Sequence, residues 1–154
     1  MGEKLYLRIV EEKDMKLLFD WRNDELVRKN SFSMDPIQWQ EHIKWFNATL
    51  EKSYVLFFMM MCGGQAVGQI RIVLEEDNVA SISYSIAGEF RGLGYGRYIL
   101  HLVENEIYKR FNNRYILKAL VKEDNLASQR SFERLGYLLQ NREKDIFRTY
   151  IKML

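Results

Sequence analysis

The residues that bear most directly on chemistry lie in Ser83-Tyr-Ser-Ile-Ala-Gly-Glu-Phe-Arg-Gly-Leu-Gly-Tyr-Gly-Arg97. A strand pattern runs into a loop holding Gly88, Gly92, Gly94 and Gly96, and a helical pattern leaves it. Glycines let consecutive backbone N–H groups turn inward, and the following helix start adds the positive end of its dipole. Such a concavity suits an anion, above all a phosphate; the plainer reading is a helix start that happens to be glycine-rich. Two common phosphate loops are excluded by spacing. A P-loop needs Gly-Lys-Ser/Thr at the helix entry, whereas Gly96 precedes Arg97-Tyr98. The dinucleotide fingerprint needs a glycine three positions after Gly94, where Arg97 stands.

The elements that must position this loop follow from periodicity. Lys4–Val10 alternates as a first strand, and Asp14–Arg28 reads as one helical stretch with Leu17, Leu18 and Trp21 on a face. Asp35-Pro36 has the chemistry of a second helix start, with Gln38 as capping-box partner. Trp39, Ile43, Phe46 and Leu50 then form its core-facing stripe. Three strands follow, Tyr54–Met61, Gln65–Leu74 and Val79–Ala87, separated by Gly63-Gly64 and Asp77-Asn78 turns, as an antiparallel meander. After the loop come a helix over Arg97–Phe111, a strand over Tyr115–Val121 and a helix over Leu126–Leu135 capped by Asp124 or Asn125. Two closing strands near Tyr137–Asn141 and Phe147–Met153 complete a mixed α+β order, β-α-α-β-β-β-α-β-α-β-β.

No linker or repeat divides the 154 residues, so residues 1–154 read as a single domain. An apolar share of 47% and a charged share of 29% describe a packed globular chain. A net charge of +2 gives no general argument for nucleic acid or membrane surfaces. The longest apolar run, Tyr54–Cys62, is far shorter than the ~20 residues of a membrane span. Met1-Gly-Glu-Lys-Leu lacks the apolar core of a signal peptide, and the lone Cys62 forms no intramolecular disulfide, so the expected location is cytoplasmic. Two histidines and one cysteine at unrelated positions give no metal-ligand spacing, so no metal is expected. Exposed strands and aromatic content would permit a homodimer.

Arg91-x-x-Gly94-x-Gly96, followed downstream by Asn125-Leu-Ala-Ser128-Gln-Arg-Ser-Phe132-Glu-Arg-Leu-Gly136-Tyr137, resembles the two signatures of the GCN5-related N-acetyltransferase (GNAT) family. The resemblance covers essentially the whole chain. It implies the GNAT fold, a mostly antiparallel central sheet with splayed middle strands and flanking helices. It also implies acetyl-CoA as cosubstrate, no metal, and acetyl transfer to an amine. By the same resemblance the amides of Arg91, Gly92, Leu93, Gly94, Tyr95 and Gly96, with Arg97 next to them, hold the CoA pyrophosphate. Ser85, Ile86 and Ala87 pair with the pantetheine arm, a strand N–H near Ile86 or Ala87 stabilises the thioester oxygen, and Asn125 and Ser128 contact the cofactor. Asn125 would serve equally well as a helix cap.

Acetyl transfer requires a neutral amine, a stabilised oxygen and, in many relatives, a proton for the leaving thiolate. Where those relatives carry a tyrosine acid this chain has Phe132, so Ser131, Tyr137 and Tyr84 are the candidates to replace it, or no acid is needed. Glu123, just past the fifth strand, is the candidate base, against its plainer reading as a solvated loop carboxylate between Lys122 and Asp124. His101 reads as an ordinary helix residue and Cys62 as a structural one.

For the acceptor, Trp21, Arg22, Asn23, Arg28, His42 and Trp45 offer stacking surfaces and anion-matching arginines, or simply an anchor for the helical pair. Their arrangement resembles the GNAT branch that acetylates amino sugars on nucleoside diphosphates in pseudaminic acid-type pathways, and related branches that acetylate ribosomal-protein N-termini. The resemblance implies a small-molecule amine, a sugar nucleotide in first place. The alternatives are a ribosomal-protein or peptide N-terminus, and a non-catalytic acyl-CoA-binding domain.

Overall fold

The computed structural model describes residues 3–112, 114–140 and 146–154. The chain runs β1 (Leu5–Ile9), α1 (Met15–Arg22), α2 (Glu25–Lys29), α3 (Trp39–Glu51), β2 (Val55–Cys62), β3 (Gln65–Leu74), β4 (Val79–Ile86), α4 (Tyr95–Phe111), β5 (Ile116–Lys122), α5 (Leu126–Arg134), β6 (Leu138–Leu139) and β7 (Phe147–Met153). The strands form one sheet in the order β1-β2-β3-β4-β5-β7-β6. All pairings are antiparallel except β4 with β5. The mixed α+β architecture expected from the sequence is therefore present.

Helices cover both faces of the sheet, and strand β2 shows why its sequence is apolar throughout. Phe58 and Met60 enter the larger core, shared with Ile99, Val103 and Phe132 of α4 and α5. Phe57, Met59 and Met61 point the other way, onto Leu18 of α1 and Phe46 of α3. A strand buried on both faces has no polar alternation to display.

Strands β4 and β5 pair only at Val79–Ile116, Ala80–Leu117 and Ser81–Lys118. Beyond these residues no ladder joins them, and the sheet opens into a cleft. This is the splay expected of the middle strands, and it lies directly before the glycine-rich loop.

The helical region before β2 departs from expectation in three ways, each with a local cause. Asp14–Arg28 is two helices rather than one. Asp24 is extended (ψ 135°), and its carboxylate accepts the Leu26 and Val27 amides, restarting the helix as α2. Helix α3 starts at Trp39, not at Pro36. The Asn23 amide bonds both Ile37 N (2.7 Å) and Ile37 O (2.9 Å), which fixes Ile37 in the loop, and Gln38 remains extended. Finally, the buried face of α3 is His42, Phe46 and Thr49, while Leu50 is 40% exposed. The stripe is rotated by one residue because His42 has partners for both ring nitrogens inside the core. The expected closing strand over Tyr137–Asn141 is reduced to Leu138–Leu139, and Asn141 lies outside the described residues.

Candidate active site

The glycine-rich loop owes its shape to two left-handed residues, Gly92 (φ 78°) and Gly94 (φ 82°). An L side chain resists this conformation. Gly94 caps α4, so the helix begins at Tyr95, two residues before the sequence-based boundary. Among the described residues the amides of Gly92, Leu93 and Gly94 have no acceptor, and the first turn of α4 leaves its own amides free as every helix start does. The chain thus presents a row of unbonded N–H groups with a helix dipole behind them, which fits the diphosphate of CoA. Leu93 and Arg97 are exposed, and the Tyr95 hydroxyl lies 3.8 Å from Cys62 Sγ. Gly96 answers a different need: a Cβ there would come within 3.1 Å of Ser131 Oγ and 3.2 Å of the Tyr84 hydroxyl.

Three hydroxyls gather over Gly96. The Tyr84 hydroxyl is 3.0 Å from Ser128 Oγ, and Ser131 Oγ stands close by while donating to Ala127 O (3.1 Å). Burial raises the Tyr84 phenol above its ordinary range, and the two serines offset this only in part. The phenol is therefore protonated at neutral pH. Phe132, buried at the usual acid position, lies edge-on to the Tyr84 ring at 5.9 Å. Tyr137 packs against Phe132, 3% exposed, and its hydroxyl has no hydrogen-bond partner among the described residues. Its phenol is pushed far upward, by burial first and then by Glu104. Buried against Phe132, Tyr137 is a core residue, and the expectation that it reaches the reaction centre does not hold.

Across the sheet, β4 exposes its other face. Ser85 Oγ accepts from Gln69 Nε2 (3.0 Å), and Ala87 N donates to Val67 O (2.9 Å). In an antiparallel pair hydrogen-bonding direction alternates, so Ser85 and Ala87 turn their backbone groups to β3 while Tyr84 and Ile86 turn theirs to the splay. Ala87 cannot then offer the carbonyl-binding amide expected of it, because that N–H is engaged. Counting on from the Ser81–Lys118 pair, Glu123 stands level with Ile86 across the gap. Its side chain is exposed. Its backbone is held by Ile146 O (2.8 Å) and by Gln129 Nε2, which also donates to Lys122 O. Asn125 caps α5 by accepting the Ser128 amide (3.2 Å).

On the Ser85 face a small cleft is lined by Trp21, Arg22, Trp45, Gln69, Arg71 and Ser85, among others. The Arg22 guanidinium lies 3.9 Å from the Trp45 ring centroid and Arg71 lies 5.1 Å from it. Arg22 also donates to His42 Nδ1 (2.9 Å), whose Nε2 bonds Met15 O at 2.7 Å. That pattern fixes His42 as neutral, and burial holds its pKa below the ordinary histidine value. Burial, with Arg71 adding to it, pushes Arg22 down to about 10.

The expected acceptor residues therefore divide. Trp21, Arg22 and Trp45 line the cleft. His42 is fully buried and orients Arg22 instead of meeting a ligand. Asn23 holds Ile37, and Arg28 donates to Asn23 O and Met34 O, both at 3.2 Å. Both maintain the loop before α3 and do not enter the cleft. Arg71 was not among the sequence candidates. Its signal is the alternation Gln69-Ile-Arg71-Ile on a strand with helices over both faces, where a polar residue turned from the core meets another layer rather than water. A further link joins the two sides: Arg91 Nη2 and Asp24 Oδ2 form an ion pair at 2.8 Å. Burial raises the Asp24 carboxyl, but Arg91 and the α2 amides outweigh it and hold the group below its usual range.

An acetyltransferase (GNAT) domain model matches residues 4–138, and the chain belongs to this family. The chain is 26% identical over 142 residues to an uncharacterised protein of Methanocaldococcus jannaschii, covering 87% of this chain and 28% of that protein. It thus spans little more than a quarter of the curated relative it matches. Among solved structures, a domain from Methanocaldococcus jannaschii superposes with a TM-score of 0.87, at 21% identity over 99% of both chains. The spermidine N-acetyltransferase of Vibrio cholerae, in complex with CoA and spermine, superposes with a TM-score of 0.84, at 16% identity over 97% of this chain and 95% of that one.

Proposed function

We propose that this chain transfers the acetyl group of acetyl-CoA directly to the primary amine of a nucleotide-linked amino sugar, without a covalent enzyme intermediate. The observation that carries the reading is the convergence at the splay. The open edge of β4 (Tyr84, Ile86) runs between a loop of unbonded amides on one side and a tryptophan- and arginine-lined cleft on the other. Acetyl-CoA supplies the activated thioester; the chain supplies position, charge and protons.

In this reading the amides of Gly92–Gly96 hold the pyrophosphate, the open edge at Tyr84–Ile86 receives the pantetheine arm, and the Ile86 N–H meets the acetyl oxygen. Glu123 takes the proton from the attacking amine, directly or through water. Tyr84 returns a proton to the leaving sulfur, with Ser131 and Ser128 orienting its hydroxyl. A phenol that remains protonated at neutral pH suits this task, and it occupies the hydroxyl role that Phe132 cannot fill. The acceptor enters from the Trp21–Trp45 side. A ribosomal-protein N-terminus is the second reading, carried by the resemblance of the Trp21, Arg22, Asn23 and Arg28 arrangement to that branch of the family.

Thiol release from acetyl-CoA across a panel of amines tests the proposal. The panel contains UDP- and TDP-linked amino sugars, ribosomal-type peptides, polyamines and aminoglycosides. Selective turnover of one amino-sugar nucleotide is expected. Turnover of peptides alone selects the second reading, and CoA binding with no turnover anywhere leaves a binding domain or an acceptor outside the panel.

A further inference from the structure

Among the described residues Arg71 has no ion-pair partner. No described carboxylate lies within 4.0 Å of it or of Arg22, although both guanidinia are drawn out of bulk water. Their contacts are instead aromatic: Arg22 and Arg71 both lie over Trp45, and Arg71 also lies 6.0 Å from Phe57. Cation–π contact recovers part of the lost hydration but leaves most guanidinium N–H groups without acceptors. Two desolvated like charges sharing one indole repel each other, so the folded protein holds them at a cost. Other half-buried cations meet acceptors: Arg8 takes Asp14 bidentately at 2.7 and 2.8 Å, Lys152 takes Glu104 at 3.0 Å, and Arg28 donates to the Asn23 and Met34 carbonyls.

We infer that Arg71 and Arg22, set around Trp45, form a subsite for an acidic group of the acceptor, a phosphate or a carboxylate. This deepens the acetyl-transfer reading above and rests on it for the place of the amine. Arg71 lies two residues from Gln69 along β3, and Gln69 bonds Ser85 beside the splay. Arg71 pairs with Ser83 across β3 and β4, three residues before Ile86, so the acidic group would lie roughly 10 Å along the strand direction from the acetyl site. The planar fork of each arginine suits two phosphate oxygens, and the indole between them offers a stacking face. The same charge disfavours polycationic amines, the chemistry of the spermine bound by the Vibrio enzyme.

The test is Arg71→Met, read in three ways on the full chain. Uridine diphosphate, with glutarate as the carboxylate probe, is titrated by calorimetry in the presence of saturating CoA, so that the pyrophosphate cradle is occupied. Wild type binds one of the probes, which identifies the acidic group, and Arg71→Met weakens it tenfold or more. Thermal unfolding separates this from a structural role. Removing an unpaired desolvated cation leaves Tm unchanged or raises it, whereas loss of a structural staple lowers it. Turnover of the accepted amino-sugar nucleotide shows a raised KM with kcat within about threefold. The inference is overturned if wild type binds neither probe, if Arg71→Met binds as wild type does, or if Tm falls while probe affinity holds. Acetylation that proceeds with an unchanged KM in Arg71→Met overturns the subsite and leaves the acetyltransferase reading. Probe binding through Arg71 without turnover supports the subsite and removes the amino-sugar assignment.

Discussion

The two sides of the cleft are built from different materials. The side proposed for the cofactor is made of backbone: left-handed glycines, unbonded amides, a helix start and the open edge of β4. The side proposed for the acceptor is made of side chains, Trp21, Arg22 and Trp45 of helices α1 and α3 among them, and their roles depend on which partners the fold provides. Gly94 is needed wherever a loop of this shape occurs. Arg22 and Arg28 have the same chemistry, yet one faces the cleft and the other carries a loop. Backbone recognition is written locally in the sequence, whereas side-chain recognition is decided at a distance.

Breaking each side should therefore leave a different signature. Tyr84→Phe carries the largest expected effect. Loss of a positioned acid lowers kcat about 100-fold, with KM for acetyl-CoA within twofold and the far-UV spectrum unchanged. Because the phenol is held above its ordinary value, the wild-type rate should show no loss of this acid as pH rises through neutrality; a fall centred near pH 7 would assign the acid elsewhere. Gly94→Val follows. Forcing a branched side chain into φ 82° weakens acetyl-CoA binding by calorimetry about 30-fold, or ~2 kcal/mol. Gly64→Ala, in a turn where a Cβ meets nothing within 4 Å, leaves affinity unchanged.

On the acceptor side, Asn23→Ala removes both bonds to Ile37 and lowers the unfolding free energy by about 1–2 kcal/mol in urea titrations. Arg28→Ala has the same sign and a smaller size. If either weakened the acceptor tenfold with unchanged stability, the division between loop-holding and cleft-lining residues would be wrong. The smallest effect concerns His42. Its folded pKa lies below the unfolded value, so its neutral form is the one the fold favours. Its contribution to stability is present above about pH 6.5 and is lost as pH falls below it. A urea midpoint that drops between pH 7.5 and 5.0, and drops less in His42→Gln, is the expected result.

The same division explains what the sequence made legible. Strands Gln65–Leu74 and Phe147–Met153 match their alternation to the residue, and Asp77-Asn78 and Gly63-Gly64 mark the turns that join the meander. The glycine-rich loop is recognisable because Gly92 and Gly94 answer conformational needs that no other residue meets cheaply. The region from Asp14 to Trp39 is not legible from pattern because its decisive contacts are not local in character. Asn23 reaches fourteen residues ahead to Ile37, Asp24 serves as a helix cap and as partner to Arg91, and His42 is drawn inward by Arg22 and the Met15 carbonyl. Arg71 is hidden in the sequence for the complementary reason. Among the described residues it has no carboxylate partner, and no residue pattern records a missing ion pair.

Where β4 and β5 part, a seven-stranded sheet acquires two inner borders besides its outer ones at β1 and β6. An unpaired strand border normally invites uncontrolled association; here it is enclosed between layers of helices, where only a slender chain can add to it. A ligand arm read by such a border is recognised through peptide groups that every amino acid possesses. Point mutation has little purchase on that half of the molecule beyond its glycines, while on the other half each contact is a single codon from loss. The fold can therefore keep its donor substrate while its acceptor changes.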